Sequence, residues 1–180
     1  MGAQLWYHEA PWHSDAGAAL KTLQARFLAE NYDLPALLPQ HLAWARESVA
    51  AAEGEGDPYG LLDLYQRKVK LLERLCSEPI PESPEARVEI IRQINADSGE
   101  GIGNVLDVTG VADRRDIRKA QQLSPQETVR LVGDAQPTLA QAGKAVRKIN
   151  EELGRGECVC FPVYDGGNPV GWYFVGNTID

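Results

Sequence analysis

The last quarter of the chain abandons helical periodicity for two β-rich runs, and that change constrains the fold more than any other feature. Glu157–Tyr164 and Pro169–Val175 are rich in Val, Phe, Trp and Tyr, and Asp165-Gly166-Gly167-Asn168 between them is turn chemistry. The two runs predict a hairpin. In the second, Val170, Trp172 and Phe174 alternate with Tyr173 and Val175, so both faces are apolar. Such a strand needs cover on both sides. A two-stranded hairpin is marginal in water, so a third strand or a helical layer is required. Leu5-Trp6-Tyr7-His8 is the most aromatic of the other strand-like stretches and the candidate third strand.

Upstream, the periods are helical. A first helix is expected after a cap at Ser14, with Ala16, Leu20, Leu23 and Phe27 on one stripe. A second begins near Pro35 or Pro39, where proline suits a first turn, and buries Leu38, Leu42, Ala45 and Val49 before Gly54 and Gly56. The third carries Leu61, Tyr65, Val69, Leu72 and Cys76 on one stripe, opposite Asp63, Arg67, Lys70 and Arg74. Ser83-Pro84 opens a fourth, burying Val88, Ile91 and Ile94. A short helix is expected over Asp113–Gln122. Ser124-Pro125-Gln126-Glu127 is a capping box. A last helix presents Leu139, Ala142, Val146, Ile149 and Leu153 and stops at Gly154.

The expected fold class is α+β: a predominantly helical array of five or six helices on a small antiparallel sheet, formed by the C-terminal hairpin and the candidate N-terminal strand. At 180 residues, with punctuation at 56–58 and 78–84 too short for linkers, a single globular domain over 1–180 is expected. A chain of this size buries roughly 70% of the surface of its unfolded form and needs no metal or disulfide for stability.

The net charge of −8 works against sequence-independent binding to phosphate backbones, so no nucleic-acid partner is expected. The charge is uneven. Residues 1–60 hold eight acids and three bases, whereas residues 61–120 hold eleven and ten, so any anion-binding surface is expected in the middle third. No apolar run approaches the roughly 18 residues of a membrane span, and no membrane partner is expected. The start has neither a basic nor an apolar signal region, and Trp6 stands where myristoylation needs Ser or Thr. A cytoplasmic location is the expectation. Cys76, Cys158 and Cys160, an odd number, then read as free thiols.

Candidate chemistry is scattered. Trp6, Tyr7, His8, Glu9, Trp12, His13 and Asp15 combine two imidazoles with carboxylates, but a five-residue His spacing fits no helical face and Pro11 interrupts it. An aromatic strand with partly exposed histidines is the expectation. Cys158 and Cys160 share one strand face about 6.6 Å apart, at the limit for a disulfide and with no second pair to complete a zinc site. They are expected in the core. No metal site and no cofactor is expected. Asp97–Asn104 alternates glycine with polar residues and could cradle an anion, yet it follows a helical segment and lacks the spacing of a phosphate-binding fingerprint. A helix end is the expectation. Asp113–Lys119 carries Arg114, Arg115, Arg118 and Lys119 interleaved with acids, which reads as a solvated, ion-paired surface.

Two functional classes follow. A non-catalytic binding or protein-interaction module is favoured by the absence of a catalytic signature, with an unknown protein or small-molecule partner and a monomeric or homodimeric state. The alternative is a small hydrolase or transferase near the N-terminal aromatic–His segment and the Gly99–Asn104 loop. Its site would draw on His8, His13, Asn104, Arg114 and Arg115, and convergence of these on one pocket separates the two readings.

Overall fold

The computed structural model describes residues 4–96 and 102–178. Among them are six α-helices and five strands, in the order β1 (Leu5–Pro11), α1 (Ala16–Asn31), α2 (Leu34–Glu55), α3 (Leu62–Ser77), α4 (Pro84–Asn95), a 3-10 turn (Val105–Asp107), β2 (Gly110–Ala112), β3 (Lys119–Gln122), α5 (Pro125–Val132), α6 (Leu139–Glu152), β4 (Cys158–Asp165) and β5 (Asn168–Asn177). The chain forms two compact units, one from Met1–Phe27 with Ser98–Asp180, the other from Leu28–Asp97.

The first unit is built on the sheet. Its strand order is β1-β5-β4-β3-β2. The expected hairpin is present, with Asp165 opposite Asn168 and only Gly166 and Gly167 between the strands. Both glycines have positive φ, 55° and 82°, the conformation that a two-residue hairpin turn of matching twist requires and that a side chain resists. The N-terminal strand pairs antiparallel with β5, from Leu5 opposite Asn177 to Pro11 opposite Gly171.

The sheet is nonetheless mixed, not wholly antiparallel. β3 runs parallel to β4 (Ala120 opposite Cys158) and β2 parallel to β3. β3 replaces part of the helix expected over Asp113–Gln122, and a six-residue turn at 113–118 leads into it. The reason lies in the side chains. Only Ile117 and Ala120 are apolar in that stretch, so a helix there would have no stripe to bury. Ala120 and Gln121 are buried instead beside β4, and Ile117 is exposed.

Strand alternation sorts the side chains to two faces. On one, Val159, Phe161, Val163, Tyr173 and Val175 meet Leu131 of α5 and Ala142, Ala145, Val146, Ile149 of α6. Both helices start on capping boxes. Ser124 with Glu127 opens α5, and Thr138 with Gln141 opens α6. Leu139 is the exception in its expected stripe and lies exposed in the first turn of α6. The other face carries Trp6, His8, Ala10, Cys158, Cys160, Trp172 and Phe174. Across it lie α1 and the 3-10 turn, with the buried Gln24 amide donating to the carbonyls of Val105 (2.9 Å) and Val108 (2.6 Å). Gly176 permits this packing, since a methyl there would overlap the Trp6 indole.

α1 is capped by Asp15 rather than by Ser14, its carboxylate accepting from the Ala18 N–H at 2.7 Å. In the second unit, Asp33 caps α2 ahead of Pro35, and Ser83 caps α4 as expected. Asp57 accepts from the N–H groups of Leu61 and Leu62 and so starts α3. Leu72 and Leu75 are buried on α3, whereas Cys76, expected on the same stripe, is exposed. Leu72 has no exposed surface, so Leu72→Ala is expected to cost about 2–5 kcal/mol. Lys70 is exposed, and Lys70→Ala is expected to cost under about 0.5 kcal/mol. Urea midpoints that ranked the two variants the other way would refute this assignment of the helix face.

Candidate functional site

Four of the five residues singled out from the sequence are engaged in separate local contacts, and the fifth, Arg114, is exposed. His8 is half-buried on β1, its ring edge-on to Phe27 at 5.0 Å and 5.9 Å from Trp6. The Nε2 of His13 lies 3.1 Å from the Thr22 hydroxyl, and its backbone carbonyl accepts from the Trp172 indole N–H at 2.8 Å. Trp12 lies flat on Trp172, the rings 5.8 Å apart. The N-terminal aromatic segment thus fastens the strand to α1 and β5.

Asn104 caps the 3-10 turn through its Oδ1, which accepts from the Leu106 N–H at 2.9 Å. The glycine-rich loop before it lies outside the described residues as far as Gly101. The two amides that are described, Ile102 and Gly103, both donate to the Asp107 carboxylate at 2.8–2.9 Å, so a side chain already fills that cradle.

Arg114 is exposed in the turn after β2. Arg115 reaches the C-terminal end of α6, donating to the Glu152 carbonyl at 2.7 Å and pairing with Glu157 at 3.5 Å. Glu152 also meets Arg130 at 2.6 Å, and hydrogen bonding from that guanidinium holds the Glu152 carboxyl below its ordinary range. Arg115 is therefore a brace between the β2–β3 turn and α6. His8 lies on one edge strand of the sheet and the two arginines follow the other. Four strand spacings, about 19 Å, separate those edges. The structure does not bring His8 and the arginines to one place.

Cys158 and Cys160 are buried, as the alternation implied. Burial pushes the Cys158 thiol well up, and the Cys160 thiol up to about 12, so both are protonated at neutral pH. A thiol-modifying reagent is accordingly expected to label only Cys76 in the native protein and all three cysteines after denaturation. Rapid native labelling of two or three thiols would contradict this placement. Among the described residues, no group of three His, Cys, Asp or Glu side chains is placed to hold a metal.

Two features with binding character lie apart from the five candidate residues. The first is in the helical unit. Between α2 and α3 runs a cleft of about 300 Å³ lined by Arg46, Val49, Gln66, Val69, Lys70 and Glu73. Beside these helices' shared seam, Trp44 is 47% exposed, edge-on to Tyr65, with the Lys68 ammonium 5.2 Å from its ring. Partial burial, and then the Lys68 charge, lower the pKa of His41. The second is the free edge of β1, where Tyr7 is 54% exposed and stacked on Tyr173. Trp44 carried a usable signal, since it falls off the Leu38–Leu42–Ala45–Val49 stripe and so belongs to a helix flank. The cleft carried none, because Val49 and Val69 read as ordinary stripe positions.

No protein-family model matches this chain, and neither a curated protein nor a solved structure matches it.

Proposed function

We propose that the chain is a non-catalytic protein-interaction module that docks an amphipathic helix with acidic flanks on the α2–α3 hairpin. The cleft between these helices supports the reading most directly. Its floor is apolar through Val49 and Val69, and its rim is polar, which is the anatomy of a binding hot spot. A groove between two helices accepts a third helix through apolar anchors one turn apart.

The rim sets the sign of the partner. Arg46 and Glu73 neutralise each other at 2.7 Å, and Arg67 is paired with Asp63 at 3.6 Å. Lys70 and Arg74 make no ion pair among the described residues. Through Lys70 and Arg74, the α3 side of the cleft is cationic in a chain of net charge −8. An acidic ligand is favoured there in both encounter and specificity.

A photo-crosslinking residue in place of Gln66 tests this in extract of the source cells. It is expected to capture a protein partner that the same residue in place of Arg147, on the outer face of α6, does not. Val69→Glu is expected to abolish that capture while leaving the thermal midpoint within a few degrees. A partner captured equally from both positions, or one indifferent to Val69→Glu, would move the docking surface elsewhere.

A further inference from the structure

The two edges of the sheet differ. β2 presents three residues. β1 presents seven. In an antiparallel pair, alternate residues turn their N–H and C=O groups toward the partner strand and the rest turn away. Thr178 donates its N–H to the Gln4 carbonyl at 3.0 Å, so Gln4, Trp6, His8 and Ala10 face β5, while Leu5, Tyr7 and Glu9 face outward. The Glu9 carbonyl bears this out, since it accepts from the Arg26 guanidinium. Pro11 has no N–H to offer. Among the described residues, nothing pairs with the outward N–H and C=O groups of Leu5 and Tyr7.

We infer that β1 is a self-association edge, on which two copies of the chain pair antiparallel about a two-fold axis at Trp6, setting Leu5 of each copy opposite Tyr7 of the other. The unpaired stretch is short and self-complementary. In this register the Leu5 and Tyr7 backbones of each copy contribute two donors and two acceptors, all four are used, and four backbone hydrogen bonds join the sheets into one of ten strands. A long foreign strand would continue past Glu9, where the Arg26 guanidinium already holds the carbonyl. The side chains fit as well. Leu5 and Tyr7 lie on the same sheet face, so the seam gains two aromatic–aliphatic cross-strand pairs, each beside the Tyr7–Tyr173 stack. The net charge does not oppose it locally, because Glu9 is the only acid on β1 and Arg26 lies against its backbone. This edge is independent of the α2–α3 cleft, and either can stand without the other.

Sedimentation equilibrium and amide hydrogen exchange together test it on the whole chain. The average mass is expected to rise with concentration from 19.8 kDa toward twice that value. The Leu5 and Tyr7 amides are expected to become protected in step, while the Trp6 and His8 amides, bonded to β5, are protected throughout. Tyr7→Pro removes an outward N–H and no bond to β5, and is expected to weaken the dimer at least about tenfold. Retained protection at Trp6 and His8 shows that the variant's strand is intact. If that protection is lost, the concentration-dependent exchange of the unaltered chain decides alone. A chain monomeric to about millimolar concentration overturns the inference. So does a dimer whose Leu5 and Tyr7 amides still exchange freely, or protection of those amides only when a foreign protein is added.

Discussion

Truncation after Gly154 is expected to leave a chain that is aggregated or molten, with exposed apolar surface and no cooperative transition from the sheet unit. β5 pairs on one side with β1 and on the other with β4, so deleting the hairpin removes the central strand and leaves β1 without a partner. It also uncovers the buried faces of α5 and α6, whose Leu131, Ala142, Val146 and Ile149 pack on Phe161, Tyr173 and Val175. Aromatic side chains remove some 150–250 Å² each from water, and the hairpin carries five of the chain's thirteen. Dye binding, near-ultraviolet circular dichroism and sedimentation measure the outcome. A truncated chain that stays monomeric, unfolds cooperatively and keeps near-wild-type helicity would make the hairpin an appended arm and refute its place in the core.

Phe174→Ala is the point substitution expected to cost most, about 3–5 kcal/mol. The residue lies on β5 between β1 and β4, opposite Cys160 on β4 and His8 on β1, and has no exposed surface. Its strand neighbours are held by the register on both sides, which limits collapse into the space. Leu139→Ala serves as the control, since Leu139 is exposed and its loss is expected to stay within about 0.5 kcal/mol. Urea unfolding followed by tryptophan fluorescence reads Trp6, Trp12 and Trp172 in the sheet unit. A midpoint for Phe174→Ala equal to that of the control would show that the two-sided core does not carry the stability assigned to it.

The proposed docking cleft and the proposed pairing edge call on different physics, and their salt dependence is expected to differ. The cleft relies on cations around Val49 and Val69, so helix docking weakens as ionic strength rises. The β1 edge relies on backbone hydrogen bonds between locally neutral strands, so self-association is nearly indifferent to salt.

Features that neighbouring residues decide among themselves were legible before the fold was known. Ser83, and Ser124 with Glu127, cap helices because the hydroxyl sits within reach of amides two or three residues on. Gly166 and Gly167 close the hairpin because only two residues separate the strands and both need positive φ. The apolar faces of the hairpin required cover on both sides, and α5 and α6 supply it on one. The N-terminal strand was legible as a candidate because its aromatics are dense. Tertiary structure alone decided the rest. Lys119–Gln122 has neither an apolar stripe nor an alternation, and it is a strand because the edge of β4 supplies the hydrogen bonds it needs. Cys76 and Leu139 fall on correct stripes but at helix ends, where the neighbouring layer no longer covers them. Arg115 reads from the sequence as part of a surface paired with its neighbouring acids, but its partners are Glu152 and Glu157, far along the chain. Val49 and Val69 form a cleft only because α2 and α3 lie side by side, and Leu5 and Tyr7 face an open edge only because β5 takes the alternate residues. In each case the deciding partner is remote in sequence, and a pairing between remote segments leaves no periodicity or spacing in either of them.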